Sequence, residues 1–226
     1  MVENNFVVTR TPLRVSFVGG GSDLPEFYKV NEQGKVISLA LNKYLYVVVK
    51  KHSKIFGEKY RISYSENEIC EEIKDIKNNV IRETIKFSNI DCPLYISTFS
   101  DIPAESGLGS SSALAVGLLN AMYSIRGKAI TRNQLAEEAA HIEMNCLNQP
   151  IGKQDHYASA FGGFNRSVFN RNGTVDVSGL KLSSSYFENI LKSGTLYWTG
   201  LTRQVEKILH EQQQNFLKNE FDHMYK

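Results

Sequence analysis

Apolar and polar positions along the chain follow two periods, and the switches between them mark the elements. Residues 6–18 (FVVTRTPLRVSFV) mix β-branched and aromatic residues with polar ones as a strand does. Residues 35–51 (KVISLALNKYLYVVVKK) predict one or two strands broken near Asn42, and alternation over 58–65 (EKYRISYS) predicts another. Ile69, Ile73, Ile76 and Val80 then recur at helical spacing, with Glu and Lys between them. Residues 93–100 (PLYISTFS) return to a strand. From Ser111 or Ser112 the period is helical again, through Leu114, Leu118, Ala121 with Met122, and Ile125. Thr131 and Gln134 resemble a capping box opening the next helix, whose buried stripe is Leu135, Ala139, Ile142 and Cys146. Residues 164–182 give short strands around Asn172-Gly173, a good hairpin turn. Leu196 to Arg203 reads as a strand running through Gly200 into a helix that Val205, Ile208, Leu209 and Phe216 continue. Strands with interposed helices predict an α+β domain with its helices on one face of the sheet.

Two glycine-rich stretches interrupt this pattern. Pro103 to Asn120 (PAESGLGSSSALAVGLLN) sets Gly107 and Gly109 just before Ser110, Ser111 and Ser112. Glycines allow backbone dihedrals at which several N–H groups converge on an anion. The helix start behind them adds unsatisfied N–H groups and partial positive charge. Serine hydroxyls there either cap the helix or ligate a Mg²⁺ riding on phosphate oxygens. The stretch reads as a phosphate cradle, although it lacks the Gly-Lys-Ser/Thr ending of a P-loop. A turn that merely caps a buried helix fits the same residues. The second stretch, Gly19-Gly20-Gly21-Ser22-Asp23, comes after the first strand and signals either close backbone approach or a tight turn.

Composition narrows the classes. A chain of 226 residues makes one large domain or a domain and a half, and its 42% apolar and 22% charged content is that of an ordinary globular protein. A net charge of +2 without basic clusters gives no electrostatic case for nucleic acid. No apolar run approaches the roughly 20 residues of a membrane helix, and MVENNFVVTR lacks the apolar core of a signal peptide. Cys70, Cys92 and Cys146 are three and widely spaced, which suits a reducing compartment and a cytoplasmic location. The histidines are equally scattered, so no His/Cys metal cage is visible.

Pro103-x-x-x-Gly107-Leu108-Gly109-Ser110-Ser111 closely resembles the second signature motif of the GHMP kinases, the superfamily of galactokinase, homoserine kinase, mevalonate kinase and phosphomevalonate kinase. Arg14-x-x-x-x-Gly19-Gly20-Gly21-x-Asp23 resembles the first motif. The resemblance implies an α+β GHMP N-terminal domain, of the ribosomal protein S5 domain 2 type, over 1–185. It also implies the beginning of a ferredoxin-like C-terminal domain over 186–226. By the same resemblance Pro103, Glu105, Ser106, Gly107, Leu108, Gly109, Ser110, Ser111 and Ser112 meet ATP, while Gly20, Gly21, Ser22 and Asp23 meet the sugar. Arg14 serves either catalysis or a structural ion pair. Asp155 comes twelve residues after Glu143, inside Gly152-Lys153-Gln154-Asp155-His156-Tyr157. Position alone does not choose between Glu143 and Glu138, which flank the helix stripe on opposite sides. In the galactokinase branch, however, a Mg²⁺-binding Glu precedes the catalytic Asp by this interval. The resemblance therefore makes Ser111 and Glu143 the Mg²⁺ ligands and Asp155 the catalytic Asp that accepts or orients the acceptor's proton, although a loop Asp also serves as a cap or turn residue. Lys153 touches phosphate or tunes Asp155, and Arg203 binds a second phosphate or is a plain surface residue.

The opening Thr11 to Pro25, the run Gly152 to Asn165, and Tyr197-Trp198-Thr199-Gly200 with Arg203 after it narrow the resemblance to the D-glycero-D-manno-heptose 7-phosphate kinase branch. This implies ATP-dependent phosphorylation of the anomeric hydroxyl of a small sugar phosphate. Fucokinase-type or galactokinase-type relatives, a non-catalytic nucleotide or phosphosugar binder, and a helix-mediated interaction module are the alternatives. The family's third glycine-rich motif has no counterpart after Phe187. A member lacking roughly its last third is expected, with apolar faces exposed or covered by a second copy.

Overall fold

The computed structural model describes residues 4–53, 55 and 57–181, with a few isolated positions between 185 and 197. Arg203 and nearly all of the segment 186–226, where a second domain is expected to begin, lie outside the described residues.

A long strand, β2 (Gln33–Lys51), is the spine of a seven-stranded sheet. The first strand, β1 (Phe6–Val18), runs antiparallel along one edge of it, from Phe6 opposite Lys50 to Val18 opposite Ile37. Two strands share the other edge end to end. β5 (Leu94–Ser100) pairs with Leu45–Lys51, and β6 (Phe164–Asn170) pairs with Gln33–Leu39. Beyond β5 lie β3 (Tyr60–Ser63), parallel to it, and β4 (Asn67–Cys70). Beyond β6 lies β7 (Val175–Gly179), reached through a turn in which Gly173 takes φ +87, as the Asn172-Gly173 signal predicts. The expected break near Asn42 is not an interruption of β2 but a slip in its pairing, because Pro12 faces Tyr44 whereas Arg14 faces Ala40. Proline offers no N–H to the ladder, and such an irregularity redirects the side chains beside it. Leu13 is fully buried there, with Arg14 next to it.

The helices are α1 (Pro25–Tyr28), α2 (Asn79–Ser88), α3 (Ser110–Ile125), α4 (Arg132–His141) and α5 (Gln154–Phe161). Half of the capping box at α4 forms, since Thr131 Oγ1 accepts from the Gln134 N–H at 3.2 Å whereas the Gln134 side chain turns to Glu138. One face of the sheet carries the core, in which Leu13, Val47, Val49, Ile62 and Ile96 pack against Ile81, Ile85, Leu118, Met122 and Ile125. The other face leaves Phe6, Val8 and Phe99 exposed. Helix α3 lies close on the sheet at Gly117, where an added Cβ would stand 2.6 Å from Thr11 Oγ1.

One expectation fails. Ile69, Ile73, Ile76 and Val80 do not share a helix. Ile69 is 67% exposed on β4, Ile73 starts a short 3₁₀ turn (Ile73–Asp75), and α2 begins only at Asn79. The buried Glu68 explains this. Its carboxylate accepts from the backbone N–H groups of Lys77 at 2.6 Å and Asn78 at 3.1 Å, and from the Tyr64 hydroxyl at 2.8 Å. The N–H groups that would have continued a helix back through Ile73 are already taken by this side chain. Asn78 then caps α2 by accepting from the Ile81 N–H at 3.0 Å.

Candidate active site

The loop between β5 and α3 is built for close backbone approach. Glu105, Gly107 and Gly109 all hold positive φ, at 59, 77 and 74. Helix α3 starts at Ser110, a residue earlier than its pattern predicts, with Gly109 at the capping position and no side chain satisfying its first N–H groups. Those donors are open to an anion, with the helix charge behind them. The Ser106 hydroxyl is buried and has no hydrogen-bond partner among the described residues. A Cβ on Gly109 would lie 3.3 Å from both Arg14 Cζ and Asp155 Oδ2, so the loop passes directly over that pair.

Arg14 and Asp155 form a two-pronged ion pair. Nε donates to Oδ1 at 2.6 Å and Nη2 to Oδ2 at 2.5 Å, with the side chains only 12% and 22% exposed. Arg14 also ties down the loop. Its Nη1 donates to the Gly107 carbonyl at 2.7 Å, and its own backbone N–H donates to the Leu108 carbonyl at 3.2 Å.

Glu143 enters the site through an irregular helix. After His141 the backbone widens into a π-helical turn, Ile142–Cys146, and the extra residue rotates the side chains beyond it. Cys146, expected in the buried stripe, is therefore exposed, whereas Glu143 is fully buried. The hydroxyl of Ser111, an exposed residue, donates to Glu143 Oε1, and His156 Nε2 lies 2.6 Å from Oε2. Burial pushes the Glu143 carboxyl up, but the hydrogen bonds from His156 and the serine hydroxyls outweigh it and hold it below the usual range. Its rival Glu138 is taken instead by the Tyr123 hydroxyl at 2.7 Å and Gln134 Nε2 at 2.8 Å.

The Gly19–Asp23 turn is locked from inside. Ser22 Oγ donates to the Gly19 carbonyl at 2.7 Å and accepts from the Lys35 N–H at 3.0 Å. Asp23, 1% exposed, accepts from the N–H of Gly21 at 3.1 Å, the N–H of Gln154 at 2.9 Å and Gln154 Nε2 at 3.1 Å. Burial, with a contribution from the Asp155 charge, pushes its carboxyl up to about 6 against the pull of those N–H groups. Gly20 is exposed at the tip, while Gly21 is buried. Nearby, Gln154 Oε1 accepts from Ser16 Oγ at 2.8 Å.

The first turn of α5 thus touches every part of the cluster. Gln154 reaches Asp23, Asp155 reaches Arg14, and His156 reaches Glu143. Of these, Gln154, His156 and Ser16 carry no distinguishing signal in the sequence, although two of them flank Asp155. Lys153, a candidate from its place in the motif, is not brought to the cluster. Its Nζ binds both Glu137 oxygens, at 2.7 and 3.0 Å, and the Gly173 carbonyl at 3.2 Å. The Tyr157 hydroxyl donates to the same Glu137 carboxylate. An open depression of about 420 Å³ borders Gly19, Ser22, Phe27 and Lys35 but includes none of Arg14, Ser111, Glu143 or Asp155.

Residues 62–163 match the family model of the GHMP kinases N-terminal domain. The chain carries a GHMP kinase N-terminal domain. The D-glycero-alpha-D-manno-heptose 7-phosphate kinase of Campylobacter jejuni is 31% identical over 88% of this chain and 61% of its own length. A galactokinase of Thermotoga neapolitana is 24% identical over 79% of the chain and 50% of its own. The chain thus spans about three fifths and half of these curated relatives. Among solved structures, a D-glycero-D-manno-heptose 1-phosphate kinase from Bacteroides thetaiotaomicron superposes with a TM-score of 0.77 at 25% identity, over 96% of this chain and 73% of that one. The Methanococcus jannaschii mevalonate kinase, at 18% identity and a TM-score of 0.57 over 94% and 72%, shares the fold. The α+β architecture expected from the resemblance therefore holds for this GHMP domain.

Among the described residues no helix is long and apolar enough to cross a membrane, and no group of three or more His, Cys, Asp or Glu could hold a metal. Ser111 and Glu143 offer a hydroxyl and a carboxylate beside the loop. Such hard oxygen donors suit a cation that keeps several waters and takes one or two carboxylates plus substrate phosphates.

Proposed function

We propose that the chain is the catalytic GHMP domain of an ATP-dependent sugar kinase. Its acceptor is the anomeric hydroxyl of D-glycero-D-manno-heptose 7-phosphate, and the products are ADP and the 1,7-bisphosphate. The observation that carries this reading is the Arg14–Asp155 pair hung from the Gly107 carbonyl, which sets a carboxylate against an anion-accepting loop. The heptose assignment is supported by the Campylobacter jejuni relative.

In this reading the N–H groups of Gly107 to Ser112 hold the terminal phosphates of ATP, bordered by Pro103, Glu105 and Ser106. Ser111 and Glu143 hold Mg²⁺, which when bound offsets the phosphate charge. Asp155 accepts a hydrogen bond from the sugar hydroxyl and takes its proton as the new O–P bond forms and the bond to ADP breaks. Arg14 fixes both oxygens of that carboxylate and the loop above it, so acceptor and phosphate are aligned by one side chain. Positioning of this kind supplies most of the acceleration in phosphoryl transfer. Asp23, being buried, serves the sugar from behind by holding Gly21 and Gln154, with Gly20 at the surface.

The test is product mass after incubation with Mg·ATP and a sugar panel. The panel holds the heptose 7-phosphate, the heptose 1-phosphate, galactose and fucose, because the names of the two heptose relatives put the phosphate at different positions. A bisphosphate formed from the heptose 7-phosphate by the wild type and absent with Asp155→Asn supports the reading. Equal product from both proteins, or transfer to none of the panel, refutes it.

A further inference from the structure

His156 is fully buried, yet only one of its ring nitrogens is used. Nε2 lies 2.6 Å from Glu143 Oε2, while the equally buried Nδ1 has no hydrogen-bond partner among the described residues. Buried polar atoms are rarely left unpaired. A ring kept at that expense for a single bond marks the bond as the reason for the residue. The bond also has a direction. Oε2 faces His156, and Oε1 is left to the part-buried bond from the hydroxyl of Ser111, a residue exposed at the start of α3. The three side-chain torsions of Glu143 would otherwise let its carboxylate rotate between these neighbours. Because Oε2 is a bare acceptor, Nε2 must carry the hydrogen.

We propose that His156 is a positioning residue that pins Glu143 Oε2 and so presents Oε1, with Ser111 Oγ, to a divalent cation carried by nucleotide phosphates. This rests on the phosphate-and-cation reading above and adds the residue that holds one carboxylate oxygen so that the other meets Ser111. Residues that hydrogen-bond to a metal ligand from behind orient it in this way.

The experiment measures Mn²⁺ binding by electron paramagnetic resonance, with a non-hydrolysable ATP analogue (adenylyl imidodiphosphate) present. It compares the wild type with His156→Gln and His156→Asn, each checked for a cooperative thermal melt. The Gln amide can reach the place of Nε2, whereas the shorter Asn amide cannot. Expected are a loss of about 10–100-fold in Mn²⁺ affinity for Asn and a change within about threefold for Gln, with metal-free binding of the analogue unchanged in both. Wild-type affinity in His156→Asn overturns the proposal, as does an equal loss in folded His156→Gln. A parallel fall in metal-free analogue binding overturns it too, since that marks a collapsed loop. Should Asn not fold, Gln alone decides, because a tenfold loss there contradicts a donor-only role. A wild type that binds neither Mn²⁺ nor the analogue instead removes the functional reading beneath the proposal.

Discussion

Raising the pH through the acid range should destabilise this fold through one residue. Asp23 is 1% exposed, and burial raises its carboxyl from 3.8 to about 6 despite three N–H donors. An acid with a raised folded value binds its proton more tightly in the native state than in the unfolded chain. Its contribution is fully present below 3.8 and is lost as pH climbs past about 6. At roughly 1.4 kcal/mol per pKa unit the loss is about 3 kcal/mol. Glu68 and Glu143 work in the opposite sense, because their carboxyls are held low, so the total stability curve mixes signs. Comparison with Asp23→Asn, which cannot titrate, removes those shared contributions. Urea unfolding monitored by circular dichroism between about pH 4 and about pH 7 should show the wild type losing about 2.5 kcal/mol relative to the variant. Parallel curves, or a wild type that gains on the variant as pH rises, would refute burial as the dominant influence on Asp23.

Three other outcomes are expected from the geometry. Gly152→Ala puts a Cβ 1.9 Å from Asp23 Oδ2, and urea denaturation should show a loss of about 1–3 kcal/mol from overpacking. Thr131→Ala removes the acceptor for the Gln134 N–H at the start of α4 and should cost about 1 kcal/mol in the same assay while leaving nucleotide affinity unchanged. Arg14→Lys keeps the charge but not the fork that holds both Asp155 oxygens and the Gly107 carbonyl. On whichever acceptor the mass assay identifies, kcat should drop by about 100-fold from misplacement alone, and a drop of less than threefold would separate Arg14 from the chemistry.

Strands β1, β2, β3 and β5 are legible in the sequence because strand-type composition is a local property of each segment, whereas β4 is not, since its Ile69 falls into an apparent helical period. The helix expected over Ile69 to Val80 does not form because its fate depends on Glu68, a side chain that captures backbone N–H groups eight or more residues downstream. Periodicity carries no sign of such a capture. Lys153 lies away from the cluster for the same kind of reason. Adjacency to Asp155 says nothing of Glu137, one helix away, which draws the ammonium off. Between Glu138 and Glu143 a regular helix gives no choice, and spacing to Asp155 selects Glu143 only through a family resemblance. What turns Glu143 inward is the π-helical turn, which no pattern of apolar residues announces.

The arrangement of α5 shows why neighbours in sequence do separate work here. An α-helix advances about 100° per residue, so three consecutive side chains leave its first turn in three directions. Gln154 meets the buried carboxylate of the glycine turn, Asp155 meets the guanidinium beneath the phosphate loop, and His156 meets the carboxylate beside Ser111. Each of those partners comes from a different part of the chain. Displacing this one turn would therefore disturb all three contacts together, whereas changing any one of the three residues should disturb only its own. The double variant of Gln154→Ala with His156→Asn is accordingly expected to be additive in Mn²⁺ affinity, with only the second substitution contributing. A large coupling between them would mean that α5 moves as a body and that the three contacts are not independent.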